Sequence, residues 1–223
     1  MKHLRPIVLG LVALALCATP VALAQAAQPG GASLTPVHRA GGLSGSELFG
    51  EGWAVTMDPA VFGTCISLGP KGKVIAPIAS FDLEVSCTIK PGTPLYIFFG
   101  TECSDVEEPP FFGADAESQR ECALAFNEAF FVAASLSVDG GEPVNTMAPR
   151  FAVVSPQMTV DLPPDNILGV PPQTATFVAA GWALMVRGLR PGEHTIEGPV
   201  TDADGITTVA VLTIDVVPPA RAG

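Results

Sequence analysis

The 223-residue chain is poor in the residues that most catalysis needs. It holds three histidines, one tyrosine and two tryptophans. His3 lies at the extreme N-terminus and His38 in a stretch expected to be a leader, so only His194 belongs to the expected domain. That excludes a histidine triad and a multi-histidine metal centre. No G-x-S-x-G, H-E-x-x-H or S-x-x-K string occurs, which removes the usual sequence support for hydrolase and metalloprotease chemistry. Bases are scarce as well, with 11 Lys and Arg against 22 Asp and Glu and a net charge of −11. An acidic surface repels nucleic acid and anionic lipid, whose binding rests on Lys and Arg. Beyond the N-terminus no apolar run approaches the ~20 residues of a transmembrane helix.

What is present begins with an address. "MKHLR" is basic, "PIVLGLVALALC" is apolar, and "ATPVALA" ends in the small-residue pattern Ala22-Leu23-Ala24. This order predicts a secretory signal peptide over residues 1–24, and a secreted or extracytoplasmic chain that does not insert in the membrane after cleavage. Its removal takes Lys2 and Arg5, leaving nine bases against 22 acids and a net charge of −13. Cys17 leaves too, so Cys65, Cys87, Cys103 and Cys122 remain as an even set for an oxidising compartment. Three connectivities are possible. Cys65–Cys87 and Cys103–Cys122 are expected, because both close short loops without threading the chain. Tetrahedral zinc is the competing use, but the spacings lack any C-x2-C pair.

Residues 25–46 are rich in Gly, Ala and Ser and read as a flexible leader; residues 218–223 read as a disordered tail. Between them, residues 47–217 predict a single domain. Short runs rich in Val, Ile, Phe and Thr alternate with Pro-Gly and Asp-Gly turns, among them 52–57, 73–78, 81–89, 93–100, 133–144 and 157–162. The last third is a meander with turns at "RPGE" and "DADG". In its final run Thr208, Ala210, Leu212, Ile214 and Val216 share one face. One segment, about 116–128, carries helical spacing behind an acidic first turn. The expected fold class is therefore all-β: an immunoglobulin-like or related β-sandwich with one short helix and two disulfides.

The hairpin "WALMVRGLRPGEHTI" resembles the penultimate hairpin of immunoglobulin-like and fibronectin-like sandwiches, with Leu189, Pro191, Gly192 and His194 at the corner positions. The ordered set "LPPDNILG", "GWALM" and "LRPGEHTI" behind two cysteine pairs resembles a family of secreted bacterial β-sandwich proteins over roughly residues 50–217. The resemblance implies a fold and an address, and transfers no catalytic residue.

The densest chemistry is "TECSDVEEPPFFGADAESQREC". Glu102 precedes its first cysteine, and between the two cysteines it gathers Asp105, Glu107, Glu108, Asp115, Glu117 and Glu121 against Arg120. Three uses follow from those letters. The loop is a solvated face whose phenylalanines fold back onto the sandwich. Or Glu102, Asp105, Glu107, Glu108 and Asp115 supply hard oxygens to calcium, the one cofactor the chain suggests. Or two of the acids form a glycoside-cleaving pair. "TDADGIT", with Asp202, Asp204 and Gly205, looks like the start of a calcium loop, but the next acid, Asp215, is too far along a strand to complete one, and an Asp-Gly hairpin turn is expected instead. His194 reads as a packing residue at the corner. The leading expectation is a non-catalytic extracellular module, binding or structural, for an unknown extracellular ligand or protein. A secreted carbohydrate-active enzyme using the 102–121 acids, and a calcium-dependent adhesion or inhibitor domain, stand as alternatives.

Overall fold

A computed structural model describes residues 31–70, 72–79 and 84–218. The expected signal peptide, residues 25–30 of the expected leader, and the tail beyond residue 218 lie outside the described residues. The elements run β1 (Ser33–Pro36), β2 (Arg39–Ala40), β3 (Leu43–Ser44), α1 (Gly45–Thr56), β4 (Thr64–Leu68), β5 (Val74–Ile78), β6 (Val85–Ile89), β7 (Leu95–Ser104), α2 (Ala116–Phe130), β8 (Phe131–Val138), β9 (Val144–Asn145), β10 (Ala152–Val154), β11 (Met158–Asp161), β12 (Thr174–Arg187), β13 (Gly192–Asp202) and β14 (Thr207–Val216).

Two sheets carry the fold. One has the order β1-β12-β7-β5-β4, with β10 and β11 also pairing β12; the other is β6-β14-β13-β8-β9. Their facing side chains share a core. Leu34, Leu95, Leu184 and Val186 from the first sheet meet Val85, Leu136, Val138, Ile196, Leu212, Ile214 and Val216 from the second. The alternation expected for the last strand is observed, since Leu212, Ile214 and Val216 all point inward. A second core lies on the outer face of the first sheet. There α1 covers Tyr96, Phe177, Ala183 and Met185 with Leu48, Phe49 and Met57.

Both disulfides pair as expected. Cys65–Cys87 joins β4 of one sheet to β6 of the other, and Cys103–Cys122 staples α2 to β7. The two bonds fit an oxidising, extracytoplasmic setting. Among the described residues no helix is long and apolar enough to cross a membrane.

Three expectations are corrected. Residues 33–46 are not a flexible leader: Ser33–Pro36 pairs with Leu184–Arg187, and Leu34 is buried in the core. The Gly and Ser content there builds structure. Gly41 and Gly42 take positive φ to turn the β2–β3 hairpin, and Ser44 caps a helix. Residues 52–57 are not a strand but the second half of α1 and its C-cap, Met57. Their helical start is the box Ser44-x-x-Glu47, in which each side chain bonds the other's backbone N–H. Gly50 lets that helix sit close to β11, since a methyl there would lie 2.6 Å from Met158 Sδ. Among the described residues the fold thus has two α-helices rather than one, and the folded body begins well before residue 47.

Candidate functional site

β12 is the longest strand, and its outer edge is shared. β1 pairs with it from Leu184 to Arg187, and β10 from Ala180 to Trp182, so among the described residues Ala183 has no strand partner on that side. Over this break opens a cleft of about 890 Å³. One wall is the β2–β3 hairpin and the start of α1, with His38, Ser44, Gly45 and Ser46. The opposite wall is α2, with Arg120, Leu124, Asn127 and Glu128. Residues Met147 and Arg150–Val154 close a third side, and Phe131, Gly181 and Trp182 form part of the floor.

Each wall is fixed by local sequence. Asp115 caps α2 by accepting from Ser118 N at 2.9 Å, and the capping bond holds its carboxyl below the usual range. Gln119, Ala123 and Asn127 then recur every four residues as the buried face of α2. The disulfide to Cys103 fixes the helix against the sheet. At the floor Phe131 meets Trp182 edge-on at 5.8 Å, and Phe99, the residue paired with Trp182 across β7 and β12, stacks on it at 5.2 Å.

The electrostatics of this cleft run against those of the chain. Arg120 and Arg150 are both exposed, and among the described residues neither guanidinium has an ion pair. Arg150 lies over the Phe151 ring at 4.7 Å, which orients it without neutralising it. Asn127 is only 5% exposed, yet its Oδ1 has no hydrogen-bond partner. At the start of α1, Gly45 N–H donates to His38 O and Glu47 N–H to Ser44 Oγ. Ser46 N–H, between them, has no partner among the described residues.

The acidic loop is arranged differently. Asp105 accepts from Thr176 N and Thr176 Oγ1, both at 2.8 Å, and Gln119 Nε2 also reaches Thr176 Oγ1. That network ties the loop to β12. Glu107 accepts from Ser104 Oγ at 2.8 Å, Asp115 is the α2 cap, and Glu108 is exposed. Glu102 is half-buried on β7. Burial first, and then the Glu107 charge, push its carboxyl up to about 7. Among the described residues no three His, Cys, Asp or Glu side chains are gathered as a metal cage. Phe111 folds back onto Phe126 at 4.6 Å, whereas Phe112 stays exposed.

The remaining candidates have structural partners. His194 bonds Asp139 through Nδ1 at 2.7 Å and Arg190 O through Nε2 at 2.8 Å. Asp202 Oδ1 accepts from Asp204 N and Ile206 N inside the β13–β14 hairpin, so "TDADGIT" is a turn. Glu51 accepts from Gly69 N, and Trp53 packs against Phe49 and Phe98. A second, apolar cavity of about 400 Å³ lies along β7 beside Phe98 and Phe99. Neither Glu102 nor Glu107 lines it or the cleft.

Sequence reasoning thus passed over Arg150, Asn127 and His38, and met Arg120 only as a counter-charge. One signal was available. In a chain so short of bases, an arginine without a nearby acid to pair with is worth tracing, and Arg150 has none within five residues on either side. A scan against models of known protein families finds none that matches this chain, and a search of curated proteins finds no similar sequence.

Proposed function

We propose that this chain is an extracytoplasmic, non-catalytic binding module on an immunoglobulin-like β-sandwich, with the cleft over Ala183 as its ligand site. The observation that carries this reading is that Arg120, Arg150 and the buried Asn127, whose Oδ1 has no partner, all line one concavity. Binding sites are concave, mostly preformed, and carry a few convergent polar groups on an apolar lining.

Three features support the sandwich assignment. β9, β8, β13 and β14 lie side by side in the order that immunoglobulin-like domains give to C′, C, F and G. β7 and β12 pair antiparallel, as B and E do. His194 bonds the carbonyl of Arg190 four residues upstream, which is the bond that the corner tyrosine makes in such domains. The two disulfides depart from that pattern, since neither joins β7 to β13.

Absence of catalysis is supported by how the candidate groups are used. The four body cysteines are bonded, His194 is held by two partners, and the Glu102–Glu107 pair opens into neither cavity. A glycosidase needs its two carboxyls facing one sugar across a groove. Export rests on the N-terminal pattern and the disulfides.

The test is a located binding screen. Sugars, amino acids and short peptides are titrated into the 15N-labelled mature chain. Binders are expected to move the amides of Ser46, Asn127 and Val153. Binders that move only the 104–113 loop, or that are turned over, would overturn the proposal.

A further inference from the structure

We infer that the cleft recognises a carboxylate, with a neighbouring hydrogen-bond donor on the same ligand. This rests on the cleft being the binding site and adds the chemistry it reads. The two guanidiniums are the first part of the argument. Arg is the side chain whose planar fork matches a carboxylate, and a charge-assisted bond of that kind is stronger than a neutral one. In a chain of net charge −11, acids are available to pair with every base. Arg120 and Arg150 nevertheless stand unpaired among the described residues, on two different walls of one cleft.

The start of α1 is the second part. Its 12 residues place a positive dipole end at Ser44–Ser46, where the Ser46 N–H is left as a donor. Helix starts of this kind favour anions. Asn127 is the independent third part. A carboxamide held 95% buried with no partner for Oδ1 costs stability unless a ligand group satisfies it. Oδ1 accepts and is itself closed off, so a ligand that meets it as the carboxamide turns toward the cleft must donate there; Glu128, the one carboxylate on the lining, favours the same polarity. A sugar acid offers such a pair through its carboxylate and a hydroxyl, and a peptide C-terminus through its carboxylate and an amide N–H. The cleft volume of about 890 Å³ admits either.

The experiment uses the mature chain with four probes: D-galacturonate, N-acetyl-L-alanine, and the methyl ester of each. Affinities come from calorimetry, and sites from 15N shifts. At least one acid is expected to bind with shifts at Ser46 and Asn127, its ester at least tenfold more weakly. Which acid binds tells the sugar source from the peptide source. Arg120→Gln and Arg150→Gln should each weaken the acid about tenfold and leave the ester unchanged. Both side chains are exposed and unpaired, so these variants should fold as the parent does. Asn127→Leu should weaken both acid and ester. If the esters bind in the cleft as tightly as the acids, the carboxylate inference falls while the cleft stands as the site. If no probe moves the cleft residues, both are overturned.

Discussion

Replacing Glu102 by Gln should make the protein more stable at pH 8 and leave it unchanged at pH 4. The glutamate sits half-buried on β7, and burial together with the Glu107 charge lifts its carboxyl from 4.5 to about 7. A folded-state value above the unfolded one means that the native chain binds more protons between those two limits. Stability is then full below about pH 4.5 and is lost as pH rises through about 7. At about 1.36 kcal/mol for each pH unit, the displacement corresponds to at most about 3 kcal/mol. The remaining contact with water reduces this to about 2 kcal/mol. Gln has the shape of the protonated acid and cannot ionise, so it keeps the low-pH stability at every pH. Urea unfolding of parent and variant from pH 4 to pH 8 reads the difference directly. Equal stabilities across that range, or a variant weaker at pH 8, would refute the reasoning and free Glu102 for another role.

Asp139→Asn tests the corner. Burial opposes charging of His194, but the bonds to Arg190 O and Asp139 and the Asp139 charge outweigh it and raise the imidazole value above 6.5. That stability is full below 6.5 and fades as pH rises through the raised value, so the variant should lose about 1 kcal/mol at pH 5.5 and almost nothing at pH 9. An equal loss at both pH values would count against the charge. Removing the staple with Cys103→Ser and Cys122→Ser should cost about 3 kcal/mol in thermal unfolding and loosen α2, as seen by hydrogen exchange. Unchanged exchange in α2 would show that its packing alone suffices. Millimolar calcium against chelator should change stability by under about 1 kcal/mol, because Asp105, Glu107 and Asp115 already have protein partners. A rise of several degrees, lost in Glu107→Gln with Glu108→Gln, would make the acidic loop a metal site.

The strands of the last third were legible because period-two alternation and Asp-Gly or Pro-Gly turns are local signals. Thr207–Val216 shows this best, with its core face readable from the letters alone. The disulfide pairing was legible for a related reason: short closures need little knowledge of the fold. α1 was missed because three glycines and a β-rich tail, "WAVT", masked the capping box that starts it. Its stability comes from packing Leu48 and Phe49 onto β12 and from close approach at Gly50, which are tertiary facts. Residues 33–46 read as a leader because their composition hides the pairing of β1 with β12 that buries Leu34 in the core. The cleft was invisible for a stronger reason. His38, Arg120, Asn127 and Arg150 come from three separate segments, and only the edge of β12 brings them together. The acidic loop drew attention by density, yet its carboxylates are spent on Thr176, Ser104 and a helix cap.

The central claim is that ligand is held by the basic cleft and not by the acidic loop. The most direct measurement compares two double variants for affinity toward the tighter of the two acid probes. Arg120→Gln with Arg150→Gln should lose binding by about a hundredfold, while Glu107→Gln with Glu108→Gln should bind as the parent does. Retained affinity in the arginine pair, with affinity lost in the glutamate pair, would contradict the account.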